Sequence, residues 1–233
     1  MNLGQTVPRR PRQDVLAPRN QGLDKRGRAL GQMASGRPRY STDELSPKTW
    51  EDFERLFRKP GEWSNCQCMW FHRQGPRAKD EQRWSAKRRN EKNFQDQRRL
   101  VESGQSHGVL VYAEGDPIGW CQYGHGDELP RADRTPGYGK APRGAKDVSL
   151  WRITCFCVDK RHRRRGVARV GLHAAVDSIR KEGGGEVEAY PTLRQGGAAL
   201  HRGTVPMFKK EGFRIVAHLG KNIVLMRLTV SPD

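Results

Sequence analysis

The feature that most constrains this chain is a junction. Val148 to Val158 (VSLWRITCFCV) is an apolar run that passes through Asp159-Lys-Arg-His-Arg-Arg-Arg165 to Gly166, after which a helical pattern begins at Val167. An apolar run of that length, bounded by a charged turn, reads as a buried strand. The helix then keeps apolar residues to about Glu182 in two stripes, Val167, Val170 and Ala174 on one and Leu172, Val176 and Ile179 on the other. A helix apolar on two stripes is expected to pack on two sides. The junction sets the first amides of the helix beside a cluster of arginines. Those free N–H groups, the positive end of the helix dipole and a glycine with no side chain in the way form an anion site suited to a pyrophosphate. The spacing is neither the G-x-x-x-x-G-K-S/T of a nucleotide P-loop nor G-x-G-x-x-G.

The other elements arrange themselves around that junction. Ser46-Pro47 with Glu51 and Asp52 behind it predicts a helix start, and Trp50, Phe53, Leu56 and Phe57 give that helix one apolar face ending at Gly61. Lys79 to Glu102 is a mostly charged helical stretch with sparse Trp84, Phe94, Leu100 and Val101, which predicts a surface or lid helix. Val109–Ala113 and Ile118–Tyr123 around Glu114-Gly115-Asp116 predict an antiparallel hairpin. Residues 124–147 read as a long loop, of the kind that carries function. Gly183 to Gly185 stop the long helix, Glu186-Val-Glu-Ala-Tyr190 is a short strand ended by Pro191, and Val205 to Glu211 is a short helix capped by Gly212. Phe213–Ala217 and Ile223–Thr229 close the chain as strands.

Composition divides the chain in two. Residues 1–40 hold nine Arg and Lys against Asp14 and Asp24, with no aromatic before Tyr40, which predicts a disordered basic tail ahead of a single domain over 41–233. Met33 offers a second translation start that would leave residues 1–32 outside the protein. The net charge of +18 fits nucleic-acid binding through the tail. No run of 18 apolar residues predicts a membrane span, and no apolar segment follows the N-terminal basic residues as in a secretory signal. Five cysteines, four of them in the pairs Cys66/Cys68 and Cys155/Cys157, suit a reducing cytoplasm better than a disulfide framework. Because C-x-C is tighter than the usual C-x2–4-C of zinc sites, the cysteines read as small buried hydrophobes, and no metal is expected.

The run Arg163-Arg164-Arg165-Gly166-Val167-Ala168 resembles the Q/R-x-x-G-x-G/A motif of the GNAT superfamily of N-acetyltransferases. The flanking order of elements and the Gly212-Phe213 pair after the last helix match that superfamily over about residues 107–229, and less closely over 41–106. The chain looks closest to a bacterial subset with Cys66-Gln-Cys68-Met69, Gly119-Trp-Cys121 and Glu188-Ala-Tyr190-Pro191 segments. The resemblance implies an α/β fold with a mixed, mostly antiparallel central sheet, splayed between the strands at 148–158 and 186–190 and flanked by helices. It implies acetyl-coenzyme A as cosubstrate and direct attack of an amine, of small-molecule type, on the thioester. Cys157 and Val158 would contact the pantetheine arm and the oxyanion through their backbone. Arg163, Arg164, Arg165, Gly166, Val167, Ala168 and Arg169 would hold the pyrophosphate.

The acid and base are where the chain departs from the family. The position that holds Tyr in many members is Phe208, which has no proton to give, and the usual Asn seven residues earlier is His201. Glu188 is the first candidate for general base, acting directly or through a water, with Glu186 on the same strand face. Either Tyr190 or a water returns the proton, or the thiolate leaves unassisted. Against this stands a surface carboxylate paired with arginine. Trp63, Trp70 and Phe71 shape either an acceptor pocket or a core edge, and Glu44, Glu51, Asp52, Asp127 and Glu128 could attract a cationic amine. The rival reading is a basic nucleic-acid- or ribosome-binding protein with a vestigial or sensory coenzyme site. The oligomeric state, homodimer included, is left open.

Overall fold

The computed structural model describes residues 40–59, 66–76, 78–194 and 201–233. The expected tail therefore lies outside the described residues, except Tyr40, which is buried with Val111, Ile118 and Val167. Among the described residues the order is β1 (Ser41–Glu44), α1 (Trp50–Arg58), α2 (Ala86–Glu102), β2 (His107–Ala113) and β3 (Asp116–His125), then β4 (Leu150–Val158), α3 (Val167–Lys181), β5 (Gly185–Ala189), α4 (Val205–Lys210), β6 (Arg214–Leu219) and β7 (Ile223–Val230). The strands form one sheet in the order β1-β2-β3-β4-β5-β7-β6. Every neighbouring pair is antiparallel except β4 and β5.

Alternation along the central strands builds a core on each face. Val109 and Cys121 join Trp151, Ile153, Leu172, Val176 and Ile179 beneath α3, while Leu110, Tyr112 and Trp120 meet Trp50, Phe53 and Phe57 of α1 on the other face. The interruption in β4 decides what happens next. Tyr123 pairs with Ile153 and Gln122 with Cys155, so Thr154 is an extra residue, a β-bulge. A bulge shifts side-chain parity by one. Trp151 and Ile153 consequently face α3, whereas Cys155 and Cys157 belong to the cluster under α1.

Several expectations shift. The first helix begins at Trp50 rather than Pro47, because Thr49 Oγ1 accepts from Ser46 N (2.9 Å) and donates to the Glu44 carbonyl (2.8 Å), holding the chain in a turn first. Its expected end at Gly61, and Trp63, lie outside the described residues. The 79–102 stretch is a 3-10 turn at Glu81–Arg83 followed by α2, which Ser85 caps by accepting from Arg88 N. Although mostly charged, α2 buries Phe94 and Val101 together with Asn93 and Gln97. The long helix packs one broad face, with Val167, Gly171, Leu172, Ala175, Val176 and Ile179 buried, and leaves Val170 and Ala174 half-exposed. The loop after β3 is folded around two 3-10 turns, Pro130–Arg134 and Tyr138–Lys140.

Candidate functional site

The parallel pair is short. Leu150, Trp151, Arg152 and Ile153 face Glu186, Val187, Glu188 and Ala189, and there the pairing stops. Beyond the bulge β4 runs on to Val158 beside β3 alone, while after β5 Pro191 lacks an amide to continue the ladder and Thr192 bridges instead to Thr204 and Ile223. The strands diverge, and Thr154, Cys155, Phe156, Cys157 and Val158 turn a free backbone edge towards the gap.

At the end of that edge lies the basic turn. Arg164 and Gly166 both have left-handed backbones, φ 59° and 86°, and the first hydrogen bonds into α3 run from Arg169 N and Val170 N to the Gly166 carbonyl. The amides of Val167 and Ala168 stand ahead of those bonds, where a helix has no acceptor of its own. A Cβ built on Gly166 would meet nothing within 4 Å, so the cradle is open. Arg163, Arg164 and Arg165 are exposed around it. Arg161 is held away: it donates to Asp159, and that hydrogen bond keeps the Asp159 carboxyl well below the usual carboxylate range. Lys59 lies 3.5 Å from Asp159 as well. Arg163 Nε donates to the Val158 carbonyl at 3.2 Å, and the exposed Arg164 and Arg165 add positive field beside it. An open pair of left-handed residues, helix-start amides and exposed arginines fit a pyrophosphate.

On the face opposite α3, a charged row crosses three strands. Arg152 of β4, Glu188 of β5 and Arg227 of β7 stand in register. Glu188 is 1% exposed. Its Oε1 accepts from Arg227 Nε (3.0 Å) and Nη2 (2.8 Å), and its Oε2 accepts from the hydroxyls of Tyr138 (2.8 Å) and Tyr190 (2.7 Å). The Arg227 pairing is the alternative considered for Glu188, with a buried carboxylate in place of a surface one. Glu186 joins from the same face, 3.3 Å from Arg227 Nε. Arg152 donates to the carbonyls of Gly126 (2.7 Å) and Leu129 (2.9 Å) and pairs with Asp133. Burial pushes the Tyr190 phenol well above its ordinary pKa, so it stays protonated. A cavity of about 410 Å³ opens over Asp133, Tyr138, Glu186, Glu188 and Arg227.

A second polar chain starts at the bulge. Thr154 Oγ1 donates to Gln122 Oε1 (2.9 Å), and Gln122 Nε2 donates to the Cys68 carbonyl (2.8 Å) and to His72 Nε2 (3.1 Å). His72 Nδ1 faces the Glu128 carbonyl at 2.9 Å; a carbonyl only accepts, so the proton is on Nδ1 and Nε2 offers a lone pair. Burial lowers the His72 pKa to about 4, and the imidazole is neutral. It lines a second cavity of about 430 Å³ with Met69, Asp96, Asp127 and Glu128.

The five acids expected to draw in a cation are not gathered. Glu44 bonds Ser178 on α3, Asp52 accepts from Tyr112, and Asp127 and Glu128 lie at the His72 cavity. Cys155 and Cys157 are buried, and burial pushes the Cys157 thiol up, away from any nucleophilic thiolate. Phe71 is core, while Trp70 is exposed under the Arg131 guanidinium at 3.7 Å. Phe208 is fully buried against Phe156 and Phe213. Sequence reasoning missed Arg152, Arg227, Tyr138, Gln122 and His72. For Arg152 a signal existed, since a guanidinium inside an apolar strand must find a partner.

Comparison with known proteins bears on the family. A sequence model described as the acetyltransferase (GNAT) family matches residues 49–213. No curated protein matches the chain. Among solved structures, an uncharacterized protein from Bacillus halodurans is similar at 13% identity and TM-score 0.50, over 82% of this chain and 84% of that one. The GNAT domain of the Streptomyces lividans protein PAT matches at 16% identity and TM-score 0.45, over 82% and 91% of the two chains. The PaiA N-acetyltransferase of Thermoplasma acidophilum, solved in complex with coenzyme A, matches at 13% identity and TM-score 0.46, over 82% and 98%.

Proposed function

The chain belongs to the acetyltransferase (GNAT) family, and from that premise we propose that it moves an acetyl group from acetyl-coenzyme A to the amine of a small molecule. The observation that carries this reading is the bulge-ended strand β4, which parts from β5 and leads straight into an open, arginine-flanked helix start. A cavity of about 410 Å³ over Glu186 and Glu188 suits a small acceptor.

In this reading the amides of Val167 and Ala168 and the side chains of Arg163, Arg164, Arg165 and Arg169 hold the pyrophosphate. Gly166 lets it approach the backbone. The free edge of β4 at Cys157 and Val158 aligns the pantetheine arm and offers an amide to the developing oxyanion, a contact worth roughly 3 kcal/mol in other acyl transfers. Bound, the coenzyme would supply an acetyl thioester as electrophile: as the amine forms its C–N bond the C–S bond breaks, and the coenzyme leaves as a thiolate that takes its proton from water. Glu188 serves as base through Tyr190: the amine's proton passes to Tyr190 Oη as the Tyr190 proton passes to Glu188 Oε2. Tyr190 stays protonated until then, as that transfer requires. Arg227 and Tyr138 hold the carboxylate still. Because four donors already surround Glu188, its Oε2 takes a proton through a hydroxyl that donates to it rather than directly.

Among the described residues no helix is long and apolar enough to cross a membrane. The rival nucleic-acid reading separates from this one by salt: phosphate-driven binding weakens steeply as salt rises, whereas turnover need not. The test is titration of acetyl-coenzyme A by calorimetry, followed by thiol release with an amine panel. Saturable binding, with turnover lost in Glu188→Gln and cut in Tyr190→Phe, is the expected result. Absence of saturable binding at low salt would overturn the reading.

A further inference from the structure

Three arginines with side chains turned inward stand around the splay, Arg152 buried and Arg202 and Arg227 half-buried, and they are not treated alike. Arg152 has Asp133, and Arg227 has Glu186 and Glu188. Arg202 has no carboxylate partner among the described residues. It lies just before Gly203 and Thr204, the segment that pairs with Thr192 where the chain leaves β5. Its guanidinium carbon stands 5.3 Å over the Phe71 ring, and its electrostatic neighbours are the Cys155 thiol of β4 and the Tyr190 phenol. Its Nη1 is fully buried, and among the described residues nothing accepts from it. Burial lowers the Arg202 pKa, the sign of a cation without its anion.

A desolvated guanidinium with an idle N–H destabilises a folded chain more than a buried ion pair does. Arg73 Nε and Arg152 Nε are also buried without an acceptor, but their guanidiniums have carboxylates beside them, whereas among the described residues that of Arg202 does not and is left to take one from outside. Its position narrows what that partner is. Cys155 is the first residue past the bulge, and Tyr190 closes β5, so Arg202 spans the inner end of the gap. The pyrophosphate turn at Gly166 lies beyond the outer end of β4 and has its own arginines. An anion at Arg202 is therefore a different one, next to the proposed Tyr190 relay. A planar guanidinium fork matches a carboxylate.

We infer that Arg202 seats a carboxylate carried by one of the two reactants, either on the acceptor, as in an amino acid, or on the acyl group of a dicarboxylic acyl thioester. This rests on the acetyltransferase reading and replaces the expected preference for a simple cationic amine with one for a carboxylate-bearing reactant.

Calorimetry on the full chain tests both sources. In one arm N-acetylalanine, N-acetylmethionine and N-acetylphenylalanine, each beside its carboxamide, are titrated with and without coenzyme A. In the other, succinyl-coenzyme A is compared with acetyl-coenzyme A. In one arm the carboxylate form binds about thirtyfold or more tightly than its neutral counterpart, and Arg202→Gln reduces that ratio to within about twofold. Arg202→Lys, which keeps the charge but loses the fork, retains part of it. Because among the described residues the guanidinium has the Phe71 ring but no carboxylate, Arg202→Gln melts close to the wild type. The inference is overturned if neither arm shows a carboxylate preference, if the preference survives Arg202→Gln, or if that variant melts well below wild type. Binding of coenzyme A itself by wild type and Arg202→Gln is the separate control: its absence in the wild type sinks the acetyltransferase reading, and its loss only in the variant assigns Arg202 to the coenzyme.

Discussion

The pyrophosphate turn and the Glu188 row are built on opposite plans. The turn is a contiguous stretch from Val158 to Arg169, exposed over Arg163 to Gly166, made of backbone amides and two left-handed residues. The row draws Arg152, Glu188 and Arg227 from three strands, Tyr190 from just past β5 and Tyr138 from the loop between β3 and β4, all interlocked and mostly buried. A site of the first kind tolerates change because each group meets solvent. One of the second kind fails when a charged member is removed, since that strands a buried charge.

The largest expected effect tests that contrast directly. Glu188→Gln leaves Arg227 and Arg152 short of an anion and costs about 3–5 kcal/mol, read as a fall in the urea midpoint. Gly166→Ala, whose new Cβ meets open space, costs only about 1 kcal/mol for its left-handed backbone. Equal midpoints for the two variants would erase the distinction. Next comes the polar chain from the bulge. Unfolded His72 takes a proton below its ordinary 6.5, whereas folded His72 waits until about 4. Stability therefore falls as pH drops through that window, by on the order of 3 kcal/mol, and is level above it. Denaturation at stepped pH should show this slope, and His72→Gln should flatten it. His107 runs the other way: its hydrogen bond to Glu128 raises its pKa, so its contribution is full below 6.5 and fades as pH rises through the raised value. Imidazole resonances that titrate together would contradict both.

Smaller effects sharpen the turn. Gly166→Glu sets a carboxylate where a phosphate belongs and lowers coenzyme affinity about a hundredfold by calorimetry, about 2.7 kcal/mol. If Gly166→Ala weakened binding as much, strain rather than charge would be responsible. Tyr138→Phe, removing one neutral donor from Glu188, costs about 1 kcal/mol in the same urea assay.

The two plans also explain what could be read in advance. The turn was legible because its strand, arginines, glycine and helix are adjacent in the chain. The row was half legible: Glu188 and Tyr190 stood out in one short segment, but their partners Arg227 and Tyr138 lie 39 and 50 residues from Glu188. Nothing in local pattern links such distances. β1 escaped notice for a different reason. Ser41-Thr-Asp-Glu44 has no apolar alternation and joins the sheet through its backbone alone, at an edge. The bulge was equally silent, since Thr154 continues the β-branched composition of its strand and only the partner register reveals the extra residue.

Tyr40 has a practical consequence for anyone labelling this protein. It packs on Val167, and its hydroxyl reaches the Arg165 carbonyl at 3.5 Å, so a label attached at this residue sits beside the basic turn. Val230 pairs with Gly185, the first residue of β5, at the opposite end of the sheet. A dye near residue 40 would report coenzyme binding, and one after Asp233 would stay silent, which makes the carboxyl end the place for a purification tag.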